Sequence, residues 1–292
     1  MQYLTCLNNV KTWLNISTMT DDDLLSNMII AFTDAIMSYC ERATFAATAY
    51  QEMRDGVGNQ RMTLRNWPVI AVSAVQVFGG QGFGGNQFGQ SGLPNGVQNI
   101  PASSGFGNQG FTLEPWDGSG AGSPQRVILS GYNYPRGTGN VQITYRAGYQ
   151  VSGEAQSVPP STAYTLQPNC PYGPFLADSG PTYANGTALT LVSALTGTAG
   201  QYTVAVDAPS QVATYTFNST DANAAILLNY SYVPASVERA CIQWVGEQYS
   251  YRKRIGLKSQ SANGVETSGY DTKDMPDFIA AILKPYAKWI PL

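Results

Sequence analysis

The chain has 292 residues, 12% of them charged, and a formal net charge of −3. This length is enough for one or two domains with substantial cores, and the small net charge excludes a bulk electrostatic attraction to nucleic acid or acidic membranes. Histidine is absent, which removes Ser–His and Cys–His nucleophile pairs and the commonest metal ligand.

The cysteines show no metal-binding spacing: Cys6, Cys40, Cys170 and Cys241. Cys40 and Cys241 fall on apolar helical faces, where buried free thiols are expected. We therefore predict no catalytic residue, no metal site and no cofactor. The longest early apolar run, Met28 to Phe32, is too short for a signal-peptide core or a membrane span. The sequence thus predicts a soluble protein, made in a cytoplasm, without a membrane partner.

Two helices are predicted at the start of the chain, over residues 4–14 and about 21–42. Thr20 is a favoured N-cap residue for the second helix. The three aspartates 21–23 then occupy the first turn, where negative charge is stabilising. An apolar stripe continues to Cys40. A metal site at the aspartates is the alternative, and a capped helix start is the favoured interpretation.

From Gln60 the apolar pattern changes to a period of two. Residues 61–78 predict two strands separated by a break at Pro68. Three further strand candidates would complete a small, mostly antiparallel sheet: 111–116, 126–130 and 140–149.

Residues 79–122 form a glycine-rich stretch without Lys or Arg. Residues 80–85 match G-x-G-x-x-G, but no amphipathic helix follows them, so dinucleotide binding is rejected. A loop of this length is either a mobile surface segment or one that orders against a partner, and both interpretations stay open.

A second unit is predicted over residues 150–232. No Lys or Arg occurs between Arg146 and Arg239, and short β-rich runs separated by turn residues predict a small sandwich or barrel. Its charged residues form no pattern typical of a glycosidase. They are Glu154, Asp178, Asp207 and Asp221.

The rest of the chain is expected to pack on a helix over residues 233–256. Pro234 fits its first turn, and Gly256 can end it. One face carries a stripe formed by Val237, Cys241, Trp244, Val245 and Gln248. The last turn is basic, with Arg252, Lys253 and Arg254. These cations either complement the helix dipole, the favoured interpretation, or contact DNA or an acidic partner surface.

After this helix, residues 258–273 are polar and predicted to be irregular. A last short helix is predicted over residues 274–290. Pro285 either kinks or ends it, leaving residues 286–292 as an aromatic tail. Its apolar face comprises Phe278, Ile279, Ile282 and Leu283.

Several of these segments together resemble the head–tail connector (adaptor, or head-completion) proteins of long-tailed bacteriophages. No single motif is specific, and the resemblance rests on the order and spacing of the segments. They are VKTWLNI at 10–16, the acidic start and stripe at 21–40, LRNWPVIAVSAV at 64–75, VQITYRAGY at 141–149, the helix from Val233 to YRKRIG at 251–256, and LKPY at 283–286. The resemblance covers about residues 3–78, 125–149 and 233–290.

The resemblance implies an α+β fold, with a helical bundle beside a small antiparallel β-sheet. Residues 1–149 and 233–292 would form this connector core, including the glycine-rich loop 79–122. Residues 150–232 would be an inserted all-β domain, sandwich- or barrel-like. Both the long loop and the insert depart from the family pattern.

The resemblance also implies a structural virion protein of the neck, not an enzyme. Its subunits would form a ring, commonly of twelve, beneath the portal protein and join it to a stopper or tail-completion protein. Genomic DNA would pass through the ring during packaging and ejection without sequence-specific binding.

In related proteins the C-terminal region helps to grip the portal. Transferred by position to residues 270–292, this predicts the partner-binding residues Tyr270, Phe278, Tyr286, Trp289 and Ile290. We then expect a chain truncated after Pro276 to keep its fold and lose portal binding.

The alternative function is a capsid- or sugar-binding β module mounted on a helical base, as in a decoration or adhesion protein. Tyr172, Tyr183 and Tyr202 would then stack on a ligand, although packing in the core or at its rim is the simpler interpretation.

Overall fold

The computed structural model describes residues 3–78, 96–105, 107–114, 125–252, 259–262, 266–269 and 275–288. Over these residues the chain is α+β with a β-rich part, which confirms the predicted fold at the level of class. The chain divides into two compact units. The first comprises Met1–Ala46 and Tyr149–Ala287, and the second comprises Ala47–Gly148 and Lys288–Leu292.

The helices are α1 (Leu7–Leu14), α2 (Asp22–Tyr39), α3 (Ala235–Tyr251) and α4 (Asp277–Leu283), and a 3-10 turn, Lys284–Tyr286, follows α4. The strands up to residue 157 are β1 (Thr48–Gly56), β2 (Arg61–Thr63), β3 (Val69–Phe78), β4 (Val97–Ile100), β5 (Gly110–Glu114), β6 (Arg126–Ser130), β7 (Gly137–Ala147) and β8 (Gln150–Ser157). The later strands are β9 (Thr165–Leu166), β10 (Phe175–Asp178), β11 (Thr182–Tyr183), β12 (Thr190–Leu191), β13 (Gln201–Val206), β14 (Ala213–Phe217), β15 (Ala225–Tyr232), β16 (Ser259–Ala262) and β17 (Glu266–Gly269).

The four helices lie in the first unit and share one hydrophobic core. The stripe predicted for α3 is buried at Val237, Cys241, Trp244 and Val245, while Gln248 is half-buried. The ring centroid of Trp244 lies 4.7 Å from that of Phe32 on α2. Spacing at i, i+4, i+7 and i+8 places these side chains on one face, and burying that face stabilises the helix more than its intrinsic propensity does.

The starts of two helices differ from the prediction. Asp21, not Thr20, occupies the N-cap position of α2, and its side chain makes no capping bond. That side chain instead accepts hydrogen bonds from α3. Pro234 is the N-cap residue of α3 and therefore precedes its first turn.

The second unit contains two antiparallel sheets, with strand orders β1-β7-β3-β4 and β2-β6-β5. The break predicted at Pro68 separates β2 from β3 as expected. Strand β1 was missed because its side chains do not alternate between apolar and polar. Its buried residues are Glu52 and Gly56, while Met53 is 61% exposed.

The described part of the glycine-rich stretch is not all loop. Strand β4 pairs with β3, and β5 pairs with β6, both antiparallel. The prediction of a loop over 79–122 is therefore wrong at β4, whereas β5 overlaps the strand predicted over 111–116. Ile100 and Phe111 are buried in the core of this unit, which explains why short apolar runs within a glycine background form strands.

Residues 150–232 contribute two sheets to the first unit. Strand β15 pairs with β8 on one side and with β10 and β11 on the other, and the second sheet has the order β12-β13-β14-β9. Large aromatic side chains from both sheets pack in one core, among them Phe175, Tyr202, Tyr215 and Tyr230. The Tyr232 N–H donates to the carbonyl of Tyr149 over 3.2 Å, so the two ends of this region are adjacent.

Strands β16 and β17 form an antiparallel hairpin, with Ser259 opposite Gly269. The prediction of irregular structure over 258–273 is therefore wrong for these eight residues. Their composition, Ser-Gln-Ser-Ala and Glu-Thr-Ser-Gly, contains no alternation of apolar and polar residues, which is the signal a strand prediction requires.

The compact units do not coincide with the predicted division into a connector core and an insert. The helices group with residues 149–287, and residues 47–148 form a unit of their own. The compact units are defined by contacts within the folded chain, whereas the predicted core (1–149 and 233–292) and insert (150–232) are defined by resemblance to connectors. The division into core and insert therefore stays a prediction.

Candidate partner-binding surface

Helix α4 presents two opposite faces. Ile279 and Leu283 are fully buried in the helical core, whereas Phe278 is 50% exposed. Phe278 therefore does not belong to the buried face, contrary to the prediction for this helix. Among the other residues predicted to grip a partner, Tyr270, Trp289 and Ile290 lie outside the described residues.

Tyr286 lies in the 3-10 turn, is half-buried and packs against the helical core. Its ring centroid lies 6.0 Å from that of Tyr149 and 6.5 Å from that of Phe45. Its carbonyl accepts a hydrogen bond from Arg42 Nε over 2.6 Å. Burial raises the pKa of Tyr149 well above its usual range. The described contacts of Tyr286 thus tie the end of α4 to the core.

These contacts overturn the expectation that the chain beyond Pro276 is dispensable for folding. Truncation there removes Ile279 and Leu283 from the core, together with the ring of Tyr286. Fully buried aliphatic side chains typically contribute about 2–5 kcal/mol each when truncated to alanine. Single exposed residues are therefore better test positions than a truncation.

Arg252 ends α3 and joins it to the start of α2. Its guanidinium nitrogens lie 3.3 Å from the carboxylate oxygens of Asp21, and its Cζ lies 4.0 Å from the ring centroid of Tyr249. The Tyr249 hydroxyl also donates to Asp21. The hydrogen bond to this carboxylate raises the pKa of both Arg252 and Tyr249.

This network supports an intramolecular role for Arg252. Contact of the basic cluster with DNA or an acidic surface stays a prediction. Lys253 and Arg254, its other members, lie outside the described residues.

A groove separates α1, α3 and α4. Trp13 on α1, Phe278 on α4 and Gly246 on α3 are among the residues that line it. Trp13 is 55% exposed, although the buried side of α1 is formed by Val10 and its neighbours. Sequence reasoning passed over Trp13. The available signal was a large aromatic side chain lying off the apolar stripe of its helix.

Tyrosine hydroxyls donate hydrogen bonds to three of the four carboxylates of residues 150–232. Asp178 accepts hydrogen bonds from Tyr202 and Tyr215, Glu154 accepts one from Tyr230, and Asp221 accepts one from Tyr183. Because Lys and Arg are absent from this stretch, neutral donors satisfy these anions. Burial, followed by the bond to Asp221, raises the pKa of Tyr183 to about 12.

The three tyrosines considered for ligand stacking lie in different environments. Tyr202 is 2% exposed, and the hydroxyl of Tyr183 is engaged by Asp221. Tyr172 is 60% exposed and packs beside Tyr232, with ring centroids 5.5 Å apart. The structure therefore does not bring the three rings together on one exposed face.

Among the described residues, no group of three or more Cys, Asp or Glu side chains is arranged to hold a metal ion. Cys40 and Cys241 are buried thiols outside any disulfide, as predicted. Burial raises their pKa values to about 11 and about 12, respectively. No described helix combines the length and apolar character needed to cross a membrane.

Residues 5–66 match the family model of phage gp6-like head-tail connector proteins. Over residues 5–66 this match confirms the predicted resemblance to phage head–tail connectors. The match includes α1, α2, β1 and β2. No curated protein and no solved structure matches the chain. The connector family is structural rather than enzymatic, so the match supports a structural connector role.

Proposed function

We propose that this protein is the head-to-tail adaptor of a long-tailed bacteriophage. It forms a ring beneath the portal and joins the portal to a stopper or tail-completion protein. The observation that carries the proposal is the match of residues 5–66 to phage head-tail connectors.

The helical core supports this assignment. Segments that resemble connectors lie at opposite ends of the sequence, yet α1, α2, α3 and α4 contribute to one hydrophobic core. This is the arrangement expected of the helical bundle of a connector. The two sheets of residues 150–232 also share one core, as expected of a sandwich.

The ring is proposed to contain twelve subunits and to lie at the neck of the virion, after synthesis in the host cytoplasm. DNA passes through its lumen during packaging and ejection. The chain has only 16 Lys and Arg residues. Because affinity for DNA phosphates increases with the number of such contacts, this low content suits a conduit that does not retain DNA.

Residues 150–232 are proposed to be an insert in the connector core. Its adjacent ends support this, because an inserted domain leaves the parent fold continuous. The insert also contacts the start of the chain: the Asn8 N–H of α1 donates to the carbonyl of Pro209 over 3.2 Å, and Gln211 Nε2 donates to the carbonyl of Tyr3, which precedes α1, over 3.0 Å. We therefore propose a supporting role for the insert rather than a separate sugar- or capsid-binding activity.

The portal-binding surface is proposed to include Phe278, because its exposed ring is available to a partner. Tyr286 contributes indirectly, by fixing the end of α4. Exposed aromatic anchors often dominate the energetics of protein–protein interfaces. Tyr270, Trp289 and Ile290 are also proposed to belong to this surface, because they lie in the C-terminal segment that corresponds by position to the portal-binding region of related proteins.

Immunogold labelling of virions tests the proposed location. An antibody against the folded protein is applied to intact, tail-detached and neck-exposed particles. We expect label at the single vertex where head meets tail. Label spread over the capsid shell or at the tail tip would refute the adaptor function and favour a decoration or adhesion role.

A further inference from the structure

The sheet β2-β6-β5 carries three exposed arginines on neighbouring strands. Arg61 lies on β2, Arg65 follows two residues after that strand, and both side chains are exposed. Arg126 on β6 is also exposed and lies opposite Thr63, midway between the other two. We call Arg61, Arg65 and Arg126 together the arginine face.

The alternation of burial sets the direction of these side chains. Met62 and Leu64 on one strand and Val127 on the other are buried in the core of the second unit. Their neighbours along each strand therefore point away from that core. The Leu64 N–H donates to the carbonyl of Gln125 over 2.9 Å, which continues the pairing beyond the last residue of β2. The three arginines thus project from the same side of the sheet.

The arginine face keeps a positive charge. Among the described residues of these strands, Glu114 on β5 is the only acidic one, and it lies opposite Arg126. Its carboxylate is 3.7 Å from Arg61 Nε, and both side chains are well exposed, so solvent weakens this pair. Arg65 and Arg126 form no ion pair with the described residues. Three cations therefore meet one anion.

The composition of the second unit agrees with this local charge. Residues 47–148 contain six arginines, no lysine and four acidic residues, although the whole chain has a net charge of −3. A guanidinium group differs from an ammonium group in its planar fork of N–H donors, which binds phosphate oxygens in pairs. A positive surface built from arginine alone is complementary to a row of phosphates.

We propose that the arginine face contacts the phosphate backbone of double-stranded DNA. From residue 61 to residue 65 the extended chain spans about 13 Å, which corresponds to about four phosphates of one strand. Contacts to phosphate carry no sequence information, and three per subunit are few enough that passing DNA is guided without being retained. Identification of this DNA as the packaged genome rests on the connector function, whereas phosphate binding itself does not.

The test is a titration of a fluorescently labelled 20-base-pair duplex with the full-length protein, followed by anisotropy between about 20 and 200 mM salt. We expect the logarithm of the binding constant to fall with the logarithm of salt concentration with a slope of about −2.7 per bound subunit, because three phosphates are neutralised. Duplexes rich in A·T and in G·C pairs should bind equally.

Variants locate the contact. Arg61→Gln, Arg65→Gln and Arg126→Gln should each reduce the slope by about 1 and weaken binding at 50 mM salt by about threefold or more. Glu114→Gln should instead tighten binding by about twofold or more, because it removes the anion from this face. Arg239→Gln, the same change at an exposed position on α3, should leave the slope unchanged. All five positions are exposed or half-buried, so the variants should melt like the wild type.

Polyglutamate of equal total charge separates DNA from an acidic protein as the partner. If it displaces the labelled duplex as well as unlabelled DNA does, the face receives an acidic protein and the proposal is wrong. No saturable binding up to about 200 µM protein at low salt, or an unchanged slope in the three arginine variants, also overturns it. Neck labelling without DNA binding would refute this inference and leave the connector function standing. DNA binding with label away from the neck would do the reverse.

Discussion

Trp244 is the largest side chain of the buried stripe on α3, so its replacement tests whether this stripe forms the helical core. Its side chain is 5% exposed and packs against Phe32. Its indole N–H is buried without a hydrogen-bond partner among the described residues. The ring therefore stabilises the fold through packing, and its polar atom contributes nothing to offset its burial.

We expect Trp244→Ala to lower the free energy of unfolding by about 3–5 kcal/mol, because it leaves a cavity in the core. Urea unfolding followed by circular dichroism measures the change. Trp13→Ala is the matched control and should cost less than about 1 kcal/mol, since its ring is half exposed. Equal losses in the two variants would show that the stripe of α3 does not form the core.

The tyrosine–carboxylate pairs make stability sensitive to alkaline pH. The pKa of Tyr183 is raised to about 12, so the folded state holds the phenol proton more tightly than the unfolded state, whose tyrosine pKa is about 10. The corresponding stabilisation is complete below about pH 10 and is lost as the pH rises through about 12.

We therefore expect Tyr183→Phe to reduce the fall in unfolding free energy between about pH 9.5 and 11.5. Urea unfolding at several pH values gives the slope. The unfolding free energy of the variant still falls with pH, because burial also raises the pKa values of Tyr202, Tyr215 and Tyr230. Val206→Ala, an exposed and non-ionisable change, should retain the full slope. An unchanged slope in Tyr183→Phe would contradict the prediction.

At the scale of elements, the pairing of α2 with α3 depends on Asp21. This residue precedes α2 and accepts hydrogen bonds from Tyr249 and Arg252 at the end of α3. Asp21→Asn removes the charge from this contact. We expect faster amide hydrogen exchange in the last turn of α3, with a smaller difference from the wild type at high salt because salt screens the charges.

Asp23→Asn is the control for this change. Asp23 occupies the same acidic turn but is exposed, so its replacement tests the helix-dipole effect alone. Equal effects of the two variants would show that negative charge at the start of α2 matters, and not the contact with α3.

Gly173 allows two segments of backbone to approach each other closely at the start of α3. Its φ is +143°, and an added Cβ would lie 1.9 Å from the carbonyl oxygen of Val233. The flanking residues bond the same segment, with the Val233 N–H donating to Pro174 and the Ala235 N–H to Tyr172. No side chain can be accommodated without separating these backbones.

We expect Gly173→Ala to cost more than about 3 kcal/mol of stability or to prevent folding. Gly186→Ala is the control, because Gly186 has a φ of +86° and open space around its Cβ position. It should cost only the backbone strain of about 1–2 kcal/mol. Thermal unfolding compares the two variants, and similar melting temperatures would contradict the close approach.

At the scale of the whole molecule, the contacts of residues 150–232 with α1 decide what the insert does. Replacing the insert with a short Gly-Ser linker is geometrically possible because its ends are adjacent. We expect α1 to lose protection from hydrogen exchange, since its bond to Pro209 and the bond of Gln211 to the preceding residue Tyr3 disappear, while α2 and α3 stay protected. Gln211→Asn, whose side chain is too short to reach Tyr3, should cause a smaller loss. Unchanged protection of α1 would mean that the insert is an independent module.

The sequence by itself determined the features that arise from local periodicity. Apolar spacing gave the existence of α2 and α3 and the buried face of α3, and alternation gave the strands around Pro68 and from β13 to β15. The order and spacing of segments along the chain also gave the resemblance to connectors, which the match of residues 5–66 supports. The helix and strand signals can be read without a structure because each is contained within a few consecutive turns or strand residues.

Only the tertiary structure decided which side chains meet across long sequence distances. Strand β1 buries Glu52 because Tyr145 and Asn66, from other segments, hydrogen-bond to it. Phe278 is exposed because the core accepts Ile279 and Leu283 instead. The groove lined by Trp13 is formed by residues of three helices, α1, α3 and α4. The indole of Trp13 can lie close to α3 because residue 246 is a glycine. Such outcomes depend on partners distant in the chain, and no local pattern encodes them.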